Sequence, residues 1–107
     1  TVIKRHNYLC EIDSSHISFI NGKGKQYMEA HHLLPMSSQK DFLSINIDRE
    51  ENIVCICPNC HRAIHYGNID EKRERLSKLY DIRENELKQS GINISKQELL
   101  KLYKVDM

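Results

Sequence analysis

Apolar positions change their rhythm several times along this chain of 107 residues, and each change predicts an element. Ile17 to Ile20 form a short apolar run, followed by Asn21-Gly22-Lys23-Gly24-Lys25. Gly and Asn tolerate positive φ, so this stretch predicts a hairpin whose returning strand runs from Gln26 to Leu34 and ends at Pro35. From Met36 to Glu51 no period holds and Ser, Gln, Asn and Asp recur, which predicts a long loop. Ile53 to Ile56 is apolar and rich in β-branched residues, the signature of a short strand. A helix is expected from about Asn59 to Tyr66, stopped by Gly67. Asp70 is the expected N-cap of a longer helix reaching about Gln89, in which Leu76, Leu79, Tyr80, Arg83 and Leu87 share one face, with Gly91 as its stop. Ser95 and Glu98 have the spacing of a capping box and open a last helix carrying Leu99, Leu100, Leu102 and Tyr103. There is no internal repeat. The pattern predicts an α+β fold, with a core in residues 1–69 and a helical extension in residues 70–107 packed on the same domain.

Composition narrows the functions open to such a fold. Sixteen Lys and Arg stand against fifteen Asp and Glu, a formal net charge of +1. That balance excludes a strongly basic nucleic-acid-coating protein and an acidic disordered tail. Hydrophobic residues make up 39% and there is no Trp, so a staple other than the apolar core is expected. No run approaches the roughly 18 apolar residues of a membrane span, and no signal peptide opens the chain. The chain begins at Thr1 without an initiator Met and reads as a piece of a longer protein.

The four Cys and six His all lie within residues 1–69. Cys57-Pro58-Asn59-Cys60 is a C-x2-C knuckle, a spacing that sets two thiolates on one tetrahedral Zn²⁺. Packing of Cys55, Cys57 and Cys60 into six residues favours metal over disulfides and implies a reducing, cytoplasmic compartment. Cys55 alternates with Cys57 along the strand, so it should face away as a buried free thiol. His61 and His65 stand at i and i+4 and share a helix face, from which both can reach one ion. Structural or surface histidines also make such pairs, but this pair follows directly on the knuckle. His31 and His32 are adjacent on a predicted strand and point to opposite faces. Either one binds a metal while the other acts as a base, or the pair is a solvated strand end. His6 has no visible partner. The C-terminal helices read as core-builders or as a dimer or interdomain surface.

Three segments, in order, carry a family resemblance: Tyr27-Met28-Glu29-Ala30-His31-His32-Leu33-Leu34-Pro35, then Glu51-Asn52-Ile53-Val54, then Cys57-Pro58-Asn59-Cys60-His61-Arg62-Ala63-Ile64-His65. Together they resemble an HNH endonuclease of the restriction type with a zinc-ribbon core, over roughly residues 10–67. The resemblance implies a ββα-metal site of two strands, a loop and a helix around one divalent cation. It implies that His31 is the strand ligand, His61 and His65 the helix ligands, and His32 the general base. Asn52 resembles the loop residue that braces the strand connection and so orients His32. The chemistry agrees: an imidazole titrating near neutrality suits proton abstraction from water. A divalent ion held by neutral imidazoles keeps its charge for the phosphate and the leaving oxygen. Mg²⁺, Mn²⁺, Ni²⁺ and Zn²⁺ are all open for that ion. Arg62 is either a phosphate contact or an ordinary surface residue.

Family members usually carry two C-x2-C knuckles, whereas the other one here reads Cys10-Glu11-Ile12-Asp13, with Asp in place of the second Cys. The resemblance therefore implies a structural Zn²⁺ on Cys10, Cys57 and Cys60, with Asp13 or His16 as fourth ligand. The expected activity is metal-dependent hydrolysis of DNA phosphodiesters in a restriction or defence system. A non-catalytic zinc-stabilised module binding nucleic acid or protein is the alternative. Near-zero net charge fits poorly with tight DNA binding by this domain alone, so an additional recognition domain or a homodimer is expected.

Overall fold

The computed structural model describes residues 1–105; the last two positions of the expected extension lie outside the described residues. The element order is α1 (Val2–Arg5), β1 (Glu29–His32), β2 (Ile53–Ile56), α2 (Pro58–Tyr66), α3 (Ile69–Gln89) and α4 (Lys96–Leu102), with 3-10 turns at Met36–Asp41 and Glu50–Asn52. β1 and β2 pair antiparallel with His31 opposite Val54 and His32 opposite Ile53. The architecture is a small α+β fold, a two-stranded sheet with helices packed against it.

Two expectations outside the helices change. The hairpin after Ile17 reduces to one bridge, Ile20 to Gln26. Side chains take over the ladder there: Ser18 N–H donates to Gln26 Oε1 and Gln26 Nε2 donates to the Tyr8 carbonyl. The apolar run beside it stays outside, with Ile17 88% exposed, so it adds nothing to the core. The Met36–Glu51 stretch is a shaped connection rather than a plain loop. Gln39 organises it, donating through Nε2 to the carbonyls of Phe42 and Ile45 and accepting from Ile47 N–H.

The helices follow their local signals. Cys57 caps α2, its Sγ accepting from Cys60 N–H at 3.4 Å, and Pro58 sits at the first turn, where its missing N–H costs nothing. α2 ends at Gly67, where a Cβ would meet the Ala63 carbonyl oxygen at 2.5 Å, so the close approach at this C-cap needs glycine. The N-cap of α3 is Asn68 rather than Asp70; its Oδ1 accepts from Glu71 N–H at 2.9 Å. Asp70 falls in the first turn, where its charge still complements the helix dipole. Gly91, at φ 93°, closes α3 in a Schellman turn, with Ile92 N–H on the Leu87 carbonyl. Ser95 and Glu98 form the reciprocal capping box of α4.

All five residues of the predicted α3 face are buried, Arg83 among them. A guanidinium is tolerated inside only when paired, and Arg83 is paired throughout. Its Nε and Nη2 each reach Glu11 at 2.9 Å, and Nη2 also donates to the Ile53 carbonyl. Nη1 donates to the carbonyls of Glu50 and Glu51 and to Glu86. Glu11 in turn accepts from Cys55 N–H at 2.6 Å, and His6 Nε2 lies 3.4 Å from its Oε2. One ion pair thus fastens α3 to both the N-terminal segment and the start of β2. Its side chains are 1% and 3% exposed, so removing one partner strands a buried charge. Arg83→Met is expected to cost about 3–5 kcal/mol in urea unfolding, with part recovered in the Arg83→Met, Glu11→Gln double variant. Equal stability of Arg83→Met and the parent would overturn this account of the clamp.

Candidate metal centres

Two clusters of metal-binding side chains form, one on each side of the α2 N-terminal turn. In the first, ligand atoms of Cys10, His16, Cys57 and Cys60 all lie within 4.8 Å of one another. His16 Nδ1 is 3.4 Å from Cys60 Sγ and 3.7 Å from Cys57 Sγ. Asp13 stays outside the set and backs it: its carboxylate accepts from Ser15 N–H and Oγ–H, and Oδ2 lies 3.8 Å from His16 Nε2. The Ser15 bonds hold the Asp13 carboxyl below its ordinary range.

The donor set fits a structural cation. Its three thiols are buried and unpaired, and none forms a disulfide. The hydrogen bond from Cys60 pulls the Cys10 thiol down to about 4, while the same bond and burial push Cys60 up. One proton shared between two buried sulfurs is a poor resting arrangement; a cation that takes all the thiolates removes it. Arg75 on α3 has a buried Nε with no hydrogen-bond acceptor among the described residues. Its charge acts on Cys60 and offsets the surplus negative charge of a three-thiolate site. Cys55 is fully buried apart from this group, its Sγ–H on the Leu9 carbonyl, and burial pushes its thiol up to about 12.

In the second cluster His31, His61 and His65 come together, again with ligand atoms within 4.8 Å. Their ring centroids are 5.0 Å, 5.3 Å and 4.9 Å apart. β1 supplies the first and one face of α2 the other two. Burial, and then the neighbouring imidazoles, drop His31 to about 3, so its lone pair is free for a cation. His65 is lowered by burial and then by His61. Glu29 Oε1 sits 2.8 Å from His61 Nδ1 and its Oε2 accepts from Tyr27 O–H. Those two bonds hold Glu29 below the ordinary carboxylate range. His61 therefore donates Nδ1–H to Glu29, which leaves Nε2 for a cation, the usual second support of a metal-binding histidine. These three imidazole nitrogen donors fit a divalent ion.

His32, one residue on, points to the other face, where Asp48 Oδ1 lies 2.8 Å from its Nε2. An Asx turn on Asn46 presents Asp48. Asn52 is wholly buried beneath this loop. Its side chain accepts from Leu34 N–H at 2.7 Å and donates to the carbonyls of Leu34 and Ile47 at 3.1 Å and 2.9 Å. It ties the end of β1 to the Asp48 segment and leaves no polar atom of its own free. Arg62 is exposed, with its guanidinium 6.0 Å from the centre of the Tyr66 ring.

A family model of the HNH endonuclease matches residues 16–67, the stretch that holds His16, β1, Asn52, β2 and α2. Residues 16–67 are an HNH endonuclease domain. The chain is also 32% identical over 79 residues to the type IV methyl-directed restriction enzyme EcoKMcrA of Escherichia coli K12. That alignment covers 74% of this chain and 26% of the enzyme. A mitochondrial DNA mismatch repair protein mutS homolog of Sarcophyton glaucum is 32% identical over 65 residues, 57% of this chain and 7% of that protein. The chain thus spans about a quarter or less of the curated relatives it matches.

Sequence reasoning missed Glu29, Asp48, Arg75 and Tyr103. Glu29 and Asp48 are ordinary acids in their local context, and their partners stand 32 and 16 positions away. Tyr103 fits the apolar face of α4, yet its hydroxyl reaches 2.8 Å from His31 Nε2. Burial raises that phenol, so its proton stays in place.

Proposed function

We propose that this HNH domain is a metal-dependent endonuclease that hydrolyses DNA phosphodiesters, with His32 as general base. The observation that carries the reading is the division of labour at the end of β1. His31 faces two helix histidines in a group fit for a cation, while His32 faces a carboxylate on the opposite side. His31, His61 and His65 would hold the ion, which when bound supplies positive charge to the phosphate and the departing 3′ oxygen.

The residues do the rest. Asp48 accepts Nε2–H of His32, which fixes the tautomer and leaves Nδ1 to take a proton from the attacking water. The carboxylate then stabilises the imidazolium that results, as a third group does for any His base. Asn52 holds the strand end and the Asp48 loop at a constant separation, so base and ligands keep their relative placement. Arg62, exposed on the helix that carries both ligands, is assigned a backbone-phosphate contact. Cleavage leaves 5′-phosphate and 3′-hydroxyl ends. Cys10, Cys57, Cys60 and His16 would hold the structural Zn²⁺.

A net charge of +1 gives the domain little overall attraction for the phosphate backbone, so selectivity and much of the affinity are assigned to a further recognition domain or to a second copy of the chain. The similarity to a methyl-directed restriction enzyme supports a role in restriction. Four free cysteines suit a reducing cytoplasm, and among the described residues no helix is long and apolar enough to cross a membrane.

Nicking of supercoiled plasmid tests the reading. The purified domain, with its structural metal in place, is expected to nick in Mg²⁺, Mn²⁺ or Ni²⁺. Excess EDTA and His61→Ala are each expected to abolish the reaction. DNA binding without nicking under every ion would instead make the domain a zinc-stabilised binding module.

A further inference from the structure

Tyr103 is the C-cap residue of α4 and lies outside the matched stretch, residues 16–67. Its hydroxyl touches three groups on β1 and its exit. It lies 2.6 Å from the Leu33 carbonyl, 3.3 Å from the His32 carbonyl and 2.8 Å from His31 Nε2. A phenol has one proton and two lone pairs. An O···O separation of 2.6 Å requires that proton between them, so the hydroxyl donates to Leu33. Towards His31 it can then only accept. The imidazole must carry its proton on Nε2, which leaves Nδ1 as the bare nitrogen.

We propose that Tyr103 is a positioning residue of the three-histidine centre, locking His31 in the Nε2–H tautomer so that Nδ1 faces the cation. This rests on the metal reading above and adds to it a role for the C-terminal helix. Buried His31 has no other hydrogen-bond partner among the described residues, so without the phenol neither tautomer is favoured and the ring loses its fixed orientation. The same hydroxyl pins the Leu33 carbonyl directly after His32, so the ligand and the proposed base share one anchor. α4 is packed on α3, and its buried Leu99 and Leu100 hold the anchor in place. The arrangement parallels Glu29 behind His61, but the support comes from 72 residues away.

Tyr103→Phe keeps the ring and removes only the oxygen. Long-range ¹H–¹⁵N spectra of the protein with only its structural site loaded are expected to show His31 as Nε2–H. In the variant they should show a mixture of tautomers. Calorimetric titration of Ni²⁺ into the same preparations is expected to give about a 10–100-fold weaker constant for Tyr103→Phe, the usual cost of losing an outer-shell partner. Unchanged circular dichroism would separate this loss from unfolding. A variant with parental Ni²⁺ affinity, or a His31 still wholly Nε2–H, would overturn the positioning role while leaving the metal centre standing. Parent protein that binds Ni²⁺ no better than His61→Ala would remove the centre itself, and the proposal with it.

Discussion

Cys60→Ser is expected to leave a chain without a cooperative thermal transition, and stripping the parent with a strong chelator should do the same. Structural zinc sites in small folding units contribute about 10–16 kcal/mol, comparable with or above the 5–15 kcal/mol that holds a typical domain together. Here the site joins segments far apart in the chain. Cys10 and His16 come from the N-terminal segment, while Cys57 and Cys60 frame the first turn of α2. Cys60 is wholly buried beside Arg75, so a hydroxyl in its place would leave both a bound cation and the guanidinium underserved. Circular dichroism melts alongside metal analysis check this, and a stripped protein that still unfolds in one sharp step would refute it. His16→Cys, which completes a four-thiolate set, is expected to retain the transition, whereas Asp13→Ala should lose little because Asp13 stands outside the ligand group.

His32→Ala should lower the nicking rate by about 10²–10⁴-fold, the range a positioned general base supplies. Divalent-ion affinity at the three-histidine centre should be unchanged, because His32 projects from the opposite face of β1. Asp48→Asn should give a smaller loss, since the amide still contacts the ring but no longer stabilises its charged form. Single-turnover nicking alongside calorimetric ion binding separates the two effects. Should ion binding collapse together with activity, His32 would be a ligand and the assignment of the base would be wrong.

How much of this was legible along the chain depended on how local each signal was. The knuckle, Pro58 and the i, i+4 histidines fall within nine residues, and α2 forms where they predict it. The capping box of α4 and the apolar face of α3 are likewise short-range patterns, and Arg83 sits on that face as its spacing indicated. The hairpin failed because Gln26 spends its amide on Ser18 and Tyr8, a choice that no propensity encodes. The Met36–Glu51 connection was opaque because one side chain, Gln39, imposes its order. At the site, the metal-binding residue types announced themselves. Their supports did not, since Glu29, Asp48, Arg75 and Tyr103 acquire meaning only from partners brought close by the fold.

The Arg83 clamp has a bearing on how the molecule reaches its native state. Its bonds to Ile53, Glu11 and His6 close loops of 30, 72 and 77 residues. Each such closure must be made against chain entropy that grows with loop length, and none is rewarded until the others are in place. The helices can flicker into being alone, but the N-terminal segment gains its counter-charge only when α3 lies across it. Docking of α3 across the N-terminal segment is therefore among the closures that cost the chain most entropy, and it steadies the same segment that brings Cys10 and His16 to the metal-binding group.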